Sequence, residues 1–422
     1  MTNRKHLIIG CSAAGLSALK SIRDLAPEDE IHMVTREATL PYSPAVLPYL
    51  ISGKMTEGNL WLRNNDYFTQ MKTSLSLRKE VARVLPEEKK IVYQEGDAEK
   101  FDTLLIGVGA EPVNLPIKGL TDSIMNFHTF GDCKRLTQLL GNSNEKEVII
   151  YGGGLVAVEL AMSLLERGNP VSIVVRSRLL RVYFNEYVGD VIESILLSKG
   201  AQVYTKTEIK EGKKQKDKIE VTLTNGKPLL CDILVNSVGV RPRTSLVDGT
   251  QVKTNVGILA DRRMETNIPE IYTAGDVAEA PNFFSGENSI NPILPNAFNQ
   301  GRVAGTNMAG KSTEYEGWIP GNILNLFGNV ACSVGLAMPS EDGYEVLEEK
   351  SDAGKRFKRL VYKGNILQGA MFLNVDADPG TLRYLIEKRV DIKSYKEALL
   401  EKTGEMGPWL VARAEKGKSK VL

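Results

Sequence analysis

The sequence contains no close pair of cysteines. Its 422 residues include four cysteines, Cys11, Cys133, Cys231 and Cys332, which are separated by 122, 98 and 101 residues. Metal cages, iron–sulfur clusters and local redox dithiols need short spacings such as C-x2-C or C-x4-C, because these bring two thiolates onto one turn. The spacing therefore excludes a resident iron–sulfur cluster and a local redox-active dithiol.

Long apolar runs, charge of one sign and histidine are also scarce. No apolar run approaches the roughly 18–20 residues that cross a bilayer, and the residues after Met1 lack the pattern of a signal peptide. Lysine plus arginine number 53 and aspartate plus glutamate 52, which argues against a nucleic-acid-binding surface. The three histidines are scattered, so no metal site is expected. We expect a cytoplasmic, globular protein of about two to four domains.

A strand, a tight turn and a helix follow one another near the N-terminus. Residues 7–9 are apolar, Gly10 to Gly15 form a small-residue turn, and apolar residues then recur at helical spacing as far as Ile22. This arrangement aims free backbone N–H groups and a helix dipole at a pyrophosphate. Because Ser12 replaces the middle glycine of the usual G-x-G-x-x-G motif, this loop alone is equally typical of an ordinary strand–turn–helix segment.

The same pattern returns 142 residues later. Residues 147–151 predict a strand, Gly152 to Ala157 a turn, and residues 158–165 a helix. Each turn is followed about 20 residues on by another strand, whose last residue normally meets the adenosine ribose of a dinucleotide. Two such loops, each opening its own βαβ unit, predict one chain that binds two nucleotides.

Two later segments also repeat. Residues 101–112 close the first unit and residues 231–242 close the second, and each contains an acidic residue, a strand and G-x-x-P. The glycine lets the chain pass against a flat ring system, and the proline stops the strand. A further strand ends in Gly275-Asp276, whose carboxylate is free to accept hydrogen bonds from sugar hydroxyls. In this order the elements predict an α/β fold with two Rossmann-like dinucleotide-binding domains.

The order of these motifs resembles the pyridine nucleotide–disulfide oxidoreductase family over residues 4–395. The resemblance implies FAD on the first loop, NAD(P)H on the central unit and a return to the flavin through the Gly-Asp strand. It implies an FAD-binding domain over residues 1–112 and 245–315, an NAD(P)-binding domain over residues 113–244, and a C-terminal α+β interface domain over residues 316–422. The last domain would build a homodimer or dock a neighbouring subunit, and its sequence fits a lid over the flavin equally well. Within it, Lys363-Gly364-Asn365 stands between two largely apolar runs and predicts a β-hairpin.

The resemblance also assigns cofactor contacts by position. The residues assigned to FAD are Gly10, Ser12, Ala13, Ala14 and Gly15 at the pyrophosphate, Gly107 and Gly109 at the flavin approach, Gly275 and Asp276 at the ribityl chain or adjacent phosphate, and Pro295 and Asn296 at the start of a helix near the flavin ring. Glu37 follows the second strand and is the candidate at the adenosine ribose, although it is offset from the expected position. The residues assigned to the nicotinamide dinucleotide are Gly152, Gly154, Leu155, Val156, Glu159, Arg176 and Gly239.

The chain departs from that family in lacking its redox cysteines. Ala45 stands about where members with one active cysteine keep it, within a tract from Pro41 to Lys54. That tract resembles flavin modules that pass electrons onward: rubredoxin reductases, flavin domains of assimilatory nitrite reductases, and NAD-linked flavin subunits of multi-subunit 2-oxoacid oxidoreductases. The implied partner is an iron–sulfur or rubredoxin-type protein, because a flavin converts one hydride into two single-electron steps.

Glu159 and Tyr42 are the candidate catalytic residues. The family glutamate at the position of Glu159 lies beside nicotinamide and flavin; the alternative is a carboxylate in the first helical turn, stabilised by the helix dipole. Tyr42 would touch the flavin or close its pocket, and the alternative is a half-buried aromatic at a helix start. Arg176 and Arg178, with no carboxylate beside them, are compatible with NADP. The resembled relatives use NAD, which we expect here.

Three functions stay open at this point. The first is an FAD-dependent NAD(P)H oxidoreductase that exchanges electrons with an iron–sulfur or rubredoxin partner inside a larger complex. The second is a stand-alone NADH oxidase that produces peroxide. The third is a nucleotide-sensing interaction protein whose oligomeric state responds to bound FAD and NADH without turnover.

Overall fold

The computed structural model describes residues 3–120, 123–351 and 355–418. They form two compact units. Unit 1 is the described part of Met1–Val113, His128–Phe130 and Gly239–Trp318, and unit 2 is the described part of Asn114–Phe127, Gly131–Val238 and Ile319–Leu422. The residues from Ile319 onward therefore group with the central nucleotide unit, and the division into three domains remains a prediction.

The elements are numbered in chain order through both units. Unit 1 contains the strands β1 (Lys5–Ile9), β2 (Glu30–Val34), β3 (Thr73–Ser76), β4 (Val81–Leu85), β5 (Lys90–Tyr93), β6 (Ala98–Lys100), β7 (Thr103–Ile106), β8 (Ala110–Pro112), β17 (Val240–Pro242), β18 (Ile258–Leu259), β19 (Ile271–Thr273), β20 (Ala278–Pro281) and β21 (Asn288–Ser289). Its helices are α1 (Ala13–Leu25), α2 (Leu47–Ile51), α3 (Asn65–Gln70) and α7 (Leu294–Met308).

Unit 2 contains the strands β9 (Ile124–Asn126), β10 (Val148–Tyr151), β11 (Val171–Val174), β12 (Gln202–Tyr204), β13 (Ile209–Gln215), β14 (Lys218–Leu223), β15 (Pro228–Cys231), β16 (Ile233–Asn236), β22 (Gly321–Leu326), β23 (Asn329–Gly335), β24 (Glu345–Ser351), β25 (Arg356–Lys363) and β26 (Ile366–Leu373). Its helices are α4 (Phe130–Leu140, whose first residue belongs to unit 1), α5 (Leu155–Arg167), α6 (Glu186–Ser198), α8 (Pro379–Glu387), α9 (Lys396–Glu401) and α10 (Thr403–Lys418).

A parallel sheet with the strand order β19-β7-β1-β2-β3 is the centre of unit 1. Alternate residues of its strands enter two different cores, so both faces are covered, as is usual for parallel sheets. Ile8 and Leu105 pack with α1 and α7 on one side. Leu7 and Leu104 pack on the other side with apolar residues of the antiparallel sheet β4-β5-β6.

The helices α1 and α7 are held unusually close together by two glycines. A Cβ at Gly301 would lie 2.1 Å from the carbonyl oxygen of Ala14, and a Cβ at Gly305 would lie 2.5 Å from that of Ala18. Real Cβ contacts of this length do not occur, so only glycine fits at either position. This contact packs the second half of α7 against the first half of α1.

Unit 2 repeats the parallel arrangement and adds antiparallel sheets. Its parallel sheet has the order β12-β11-β10-β16-β9, and the C-terminal residues form an antiparallel sheet in the order β22-β23-β26-β25-β24. The hairpin that the sequence predicts at Lys363-Gly364-Asn365 joins β25 to β26. The predicted α/β fold, with two Rossmann-like sheets and a C-terminal α+β part, is confirmed. None of the described helices combines the length and apolar composition that a membrane span needs.

A polar network around Glu99 ties the sheet β4-β5-β6 to the central sheet of unit 1. The Glu99 carboxylate accepts hydrogen bonds from His32 Nδ1 at 2.8 Å and from the Tyr93 hydroxyl, and Lys5 Nζ lies 3.1 Å from it. Burial by itself would raise the pKa of Glu99, but the hydrogen bonds from His32 and Tyr93 and the neighbouring charges outweigh it, and they lower the pKa to about 2.

We predict that Glu99→Gln lowers the free energy of unfolding at pH 7 by about 2 kcal/mol. The carboxylate has a lower pKa when folded than when unfolded, so its contribution is complete above the unfolded pKa. This stabilisation by the Glu99 carboxylate is lost as the pH falls from the pKa of the unfolded chain to the folded pKa of about 2. Urea unfolding from pH 7 to pH 3 measures this. Glu145→Gln, at an exposed carboxylate, is the control. If Glu99→Gln lowered the free energy of unfolding by the same amount at pH 7 and at pH 3, the network would be contradicted.

Candidate functional site

The predicted residues of unit 1 gather at the carboxyl edge of its parallel sheet. Gly10 follows β1, Gly107 follows β7, and Gly275 lies just beyond β19. Glu37 lies three residues beyond the end of β2, on the other side of β1. Ligands of open α/β sheets bind outside the carboxyl ends of the strands, so the topology places these residues at one candidate binding edge.

Gly10 makes the sharp turn from β1 into α1. Its φ is +111°, and a Cβ here would lie 2.1 Å from the carbonyl oxygen of Gly107. Its N–H donates to the carbonyl oxygen of Val34 at 2.9 Å, so the ends of β1, β2 and β7 converge. A Cβ at Gly15 would in turn lie 2.1 Å from the carbonyl oxygen of Gly10. The backbone packing therefore requires glycine at the first and last glycine positions of the motif, although Ser12 replaces the middle glycine.

The N-terminus of α1 is left open to a ligand. Ser12 is the exposed N-cap residue, its side chain makes no capping hydrogen bond, and the first helical turn has no acidic residue. Ala13 and Ala14, which follow it, are small and buried. The first N–H groups of a helix lack intrahelical partners and attract anions. The loop is therefore suited to a pyrophosphate.

The loop after β10 in unit 2 has the same geometry. Gly152 has a φ of +137°, its N–H donates to the carbonyl oxygen of Val174 at 2.9 Å, and a Cβ would lie 2.0 Å from the carbonyl oxygen of Ser237. Gly154 is the N-cap of α5, without a side-chain cap, and no atom lies within 4 Å of where its Cβ would be. The two glycine loops are thus structural duplicates, and Gly154 opens to free space at the second helix N-terminus.

Asp276 is a desolvated carboxylate for which the described residues provide no hydrogen bond. Desolvation raises its pKa to about 6. It is placed by Gly275, whose N–H donates at 2.8 Å to Oε1 of the buried Gln300. A Cβ at Gly275 would lie 3.5 Å from Cβ of Ala14 and 3.6 Å from Cβ of Ala297, so the turn sits between α1 and α7. A ligand with hydroxyl donors would supply the missing hydrogen bonds.

Glu159 is a second carboxylate of this kind, in unit 2. It is the fifth residue of α5, so the prediction that it lies in the first helical turn is wrong. Desolvation raises its pKa to about 7, and burial together with the charge of Glu159 raises the pKa of Tyr183. A carboxylate stabilised by the helix dipole would have a lowered pKa. The raised pKa of Glu159 instead favours a carboxyl group that holds a proton near neutral pH.

Tyr42 is buried and its hydroxyl is engaged by the protein. The hydroxyl accepts the backbone N–H of Phe130 at 2.9 Å and lies 3.4 and 3.5 Å from the two carboxylate oxygens of Glu37. The rings of Tyr42 and Phe130 are 5.9 Å apart, and Trp61 packs edge-on against Phe130 at 5.6 Å. These contacts do not leave the phenol free for a proton-transfer role, and its assignment as catalytic loses support.

Asn296 is also used inside the protein. Its side chain is 0 % exposed, donates to the carbonyl oxygen of Asn291 at 2.9 Å and accepts the Tyr315 hydroxyl at 2.7 Å. A side chain with no accessible surface cannot contact a cofactor, so the assignment of Asn296 as a ligand is corrected to a structural one. Pro295, the residue before it, is exposed in the first turn of α7.

Gly109 and Gly239 flank the antiparallel pair β8-β17 of unit 1. The Gly109 carbonyl accepts the N–H of Arg243 at 3.1 Å and the Gly239 carbonyl accepts that of Val113 at 3.0 Å. No atom lies within 4 Å of a Cβ at either glycine. Gly239 therefore belongs to unit 1, although the sequence assigned it to the nicotinamide nucleotide.

Two arginines follow β11 in unit 2, and among the described residues only Arg178 has hydrogen-bond partners. The Arg178 guanidinium donates to the carbonyl oxygens of Leu179, Arg181, Phe184 and Asn185, at 2.7–3.5 Å. Arg176 is exposed and makes no hydrogen bond to the described residues. Of the residues that open α5, Leu155 is half-buried and Val156 is 45 % exposed. Because Arg178 is engaged with backbone carbonyls, Arg176 is available as a cation at the adenosine end of the second loop.

Sequence reasoning missed the residues that support the first loop from behind. Gly301 and Gly305, which have three residues between them, pack α7 against α1. Gln300, directly before Gly301, orients the Gly275 turn by accepting its N–H. The spacing G-x3-G was a usable signal for a close helix pair. The Gln300 contact joins residues 25 apart and had no local signal.

Comparisons with known proteins agree with this geometry. A family model described as pyridine nucleotide-disulphide oxidoreductase matches residues 4–301. The chain is 33 % identical to the NADH-dependent phenylglyoxylate dehydrogenase subunit epsilon of Aromatoleum evansii, over 92 % of each chain. It is 28 % identical to an NADH-rubredoxin oxidoreductase of Clostridium acetobutylicum, over 79 % of this chain and 82 % of that one. It is similar in fold to a putidaredoxin reductase–putidaredoxin complex, with a TM-score of 0.88 and 20 % identity, over 98 % of this chain and 100 % of that one.

We predict that Asp276→Asn stabilises the ligand-free protein at pH 8 by about 2–6 °C in Tm and leaves Tm unchanged at pH 4. The pKa of Asp276 is raised on folding, so the folded chain holds this proton more tightly. Stability is therefore lost as the pH rises from the ordinary aspartate range through about 6. Calorimetry of the ligand-free protein measures this, with the exposed Glu287→Gln as control. A gain that is the same at both pH values would show that the charge is not the cause.

Proposed function

Because the chain belongs to the pyridine nucleotide-disulphide oxidoreductase family, we propose that it passes electrons between NAD(P)H and an iron–sulfur or rubredoxin-type protein, as the flavin subunit of a larger oxidoreductase. Membership makes the chain an FAD-dependent NAD(P)H oxidoreductase. The acceptor protein and the assembly are the proposed part.

The observation that carries the proposal is the state of the four thiols. Cys11, Cys133, Cys231 and Cys332 are all free and buried. Burial raises the pKa of Cys133 to about 11 and the pKa of the other three to about 12. Thiol–disulfide chemistry needs an accessible thiolate. The chain therefore provides no sulfur relay, and electrons would leave the flavin directly for an external acceptor.

The side chains and loops of the two units fit their cofactors. FAD, when bound, supplies the step between two-electron hydride chemistry and one-electron transfer. The open N-terminus of α1 would hold its pyrophosphate, and Asp276 would accept hydrogen bonds from its sugar or ribityl hydroxyls. The loop from Gly152 to Gly154 and the N-terminus of α5 would hold the nicotinamide dinucleotide, beside the neutral form of Glu159.

We propose NAD as the nucleotide, since the relatives just described are named for NADH. Arg176 is the feature that favours NADP, because a free guanidinium pairs well with a 2′-phosphate. The multi-subunit setting is supported by the relative from Aromatoleum evansii, which is named as the subunit of a dehydrogenase and matches over 92 % of both chains. For assembly we propose the C-terminal sheet, whose edge strand β22 exposes Ile323 at 59 %.

The acceptor is tested by stopped-flow spectroscopy of the purified, flavin-loaded protein. NADH should bleach the flavin, and a ferredoxin or rubredoxin should then reoxidise it much faster than air-saturated buffer does. Rapid oxygen consumption with NADH and no added protein would instead establish the stand-alone oxidase. Isolation at native expression level, followed by identification of the co-purifying chains, tests the proposed complex.

We predict that Gly154→Asp lowers the rate of flavin reduction by NADH by ~100-fold or more, because like charges at a binding site cost several kcal/mol. The new carboxylate would face the pyrophosphate of the nicotinamide nucleotide. Flavin content should be unchanged, since Gly154 is in unit 2, its backbone φ is negative and its Cβ would meet open space. Gly321→Asp, another exposed glycine of unit 2, is the control. Undiminished reduction by NADH would refute the assignment of this loop.

A further inference from the structure

We propose that Tyr42 is a positioning residue for FAD, whose phenol holds the Glu37 carboxylate at the adenosine ribose. This inference rests on the proposed function only through the cofactor. It concerns the adenosine end of the site, whereas the sequence pointed to the flavin ring. Three contacts of Tyr42 carry it.

The first contact is a hydrogen bond that the phenol oxygen of Tyr42 accepts. The backbone N–H of Phe130 donates to it at 2.9 Å, across 88 residues of sequence. Phe130 is the last residue of the short segment His128–Phe130, which belongs to unit 1 although its neighbours on either side belong to unit 2. With the oxygen accepting this N–H, the hydroxyl proton of Tyr42 is directed elsewhere.

The second contact gives that proton its acceptor. The two carboxylate oxygens of Glu37 lie 3.4 and 3.5 Å from the Tyr42 hydroxyl, as a long, bifurcated contact. The backbone of Glu37 is also fixed, because its N–H donates to Thr35 Oγ1 at 3.2 Å and its carbonyl accepts the N–H of Arg78 at 2.9 Å. Both ends of the Glu37 residue are therefore held.

The third contact fixes the backbone of Tyr42 itself. Tyr42 forms an isolated antiparallel β-bridge with Trp61, and the N–H of Leu62 donates to the carbonyl oxygen of Pro41 at 2.8 Å. Trp61 also packs edge-on against the ring of Phe130. The phenol is 8 % exposed. It is thus held at its backbone, at its ring and at its oxygen.

Glu37 needs such a support because it is displaced from the usual position. The acidic residue that binds the adenosine ribose normally ends the second strand of the unit. Here β2 ends at Val34, and Glu37 follows three residues later in an irregular segment. A carboxylate on an irregular segment is not oriented by a sheet. The hydrogen bond from Tyr42 supplies the orientation that the strand does not.

The test compares two ligands on the apoprotein: FAD and its 2′-deoxyadenosine analogue. The native protein should bind FAD about 10-fold more tightly than the analogue, since Glu37 would accept the 2′-hydroxyl. In Tyr42→Phe the affinity for FAD should fall by ~5–20-fold, the affinity for the analogue should change by less than about twofold, and the preference should disappear. Flavin fluorescence quenching measures both dissociation constants without any turnover.

Two further variants make the result decisive. Glu37→Gln keeps the bond between Tyr42 and Phe130, and it should lose the same preference; it therefore tests the proposal even if Tyr42→Phe fails to fold. In the double variant the two losses of affinity for FAD should not multiply, because both substitutions remove the same interaction with the ribose. Tyr67→Phe is the control, since the Tyr67 hydroxyl makes no hydrogen bond to the described residues of unit 1.

The outcomes separate this inference from the function it rests on. An equal loss for both ligands in Tyr42→Phe, or no loss for either, would overturn the positioning role while leaving the proposed electron transfer intact. If the native apoprotein bound neither ligand, the FAD assignment itself would fail, and the proposed function with it. Failure to reduce an iron–sulfur or rubredoxin partner would refute the proposed function and leave the role of Tyr42 unaffected.

Discussion

The structure depends on two contacts in which a backbone carbonyl occupies the space of a missing side chain. The carbonyl oxygen of Gly107 lies where a Cβ of Gly10 would be, and that of Ser237 lies where a Cβ of Gly152 would be. Each contact brings the ends of two neighbouring parallel strands together. The helix that follows, α1 or α5, then begins with its first N–H groups uncapped by a side chain. A methyl group at either glycine would separate the strand ends and displace the helix N-terminus. The two binding edges are therefore a property of backbone packing, and few side chains are needed to form them.

The carboxylates of the chain fall into two kinds, and the difference marks the sites. Glu279 is buried but accepts the N–H groups of Val256 and Gly257, both at 2.9 Å, and Glu99 has its own set of donors. These groups are fully compensated and hold the fold together. Asp276 and Glu159 are desolvated without such donors, and both have raised pKa values. Folding gains nothing from an uncompensated buried charge. We therefore propose that these two groups are retained for the hydrogen bonds that the nucleotides would supply.

Local patterns predicted the loops, the parallel strands and the hairpin at Gly364, because each depends on residues that are neighbours in sequence. The Gly275-Asp276 turn was predictable for the same reason. The contact of Tyr42 with Phe130 joins residues 88 apart, and the burial of Asn296 depends on Tyr315. Neither follows from spacing, because both are set by how loops return to the sheet. The position of Gly239 shows a further limit: a repeated motif predicted the same role in both halves, whereas the chain crosses into unit 1 at this residue.

The burial of the thiols bears on how the proposed acceptor would be selected, by docking and not by covalent chemistry. Cys11 directly follows Gly10 in the first loop, yet it is 7 % exposed and its pKa is raised to about 12 by burial. Ala45, in the tract where single-cysteine relatives keep their thiol, carries only a methyl group. A disulfide relay chooses its substrate by forming a bond to it, which requires a thiolate. Without one, the proposed protein acceptor would be selected by the fit of its surface and by how near its redox centre comes to the flavin. Such surface recognition is spread over many residues and leaves no short motif, which is why the sequence identifies the cofactors of this chain more readily than its partner.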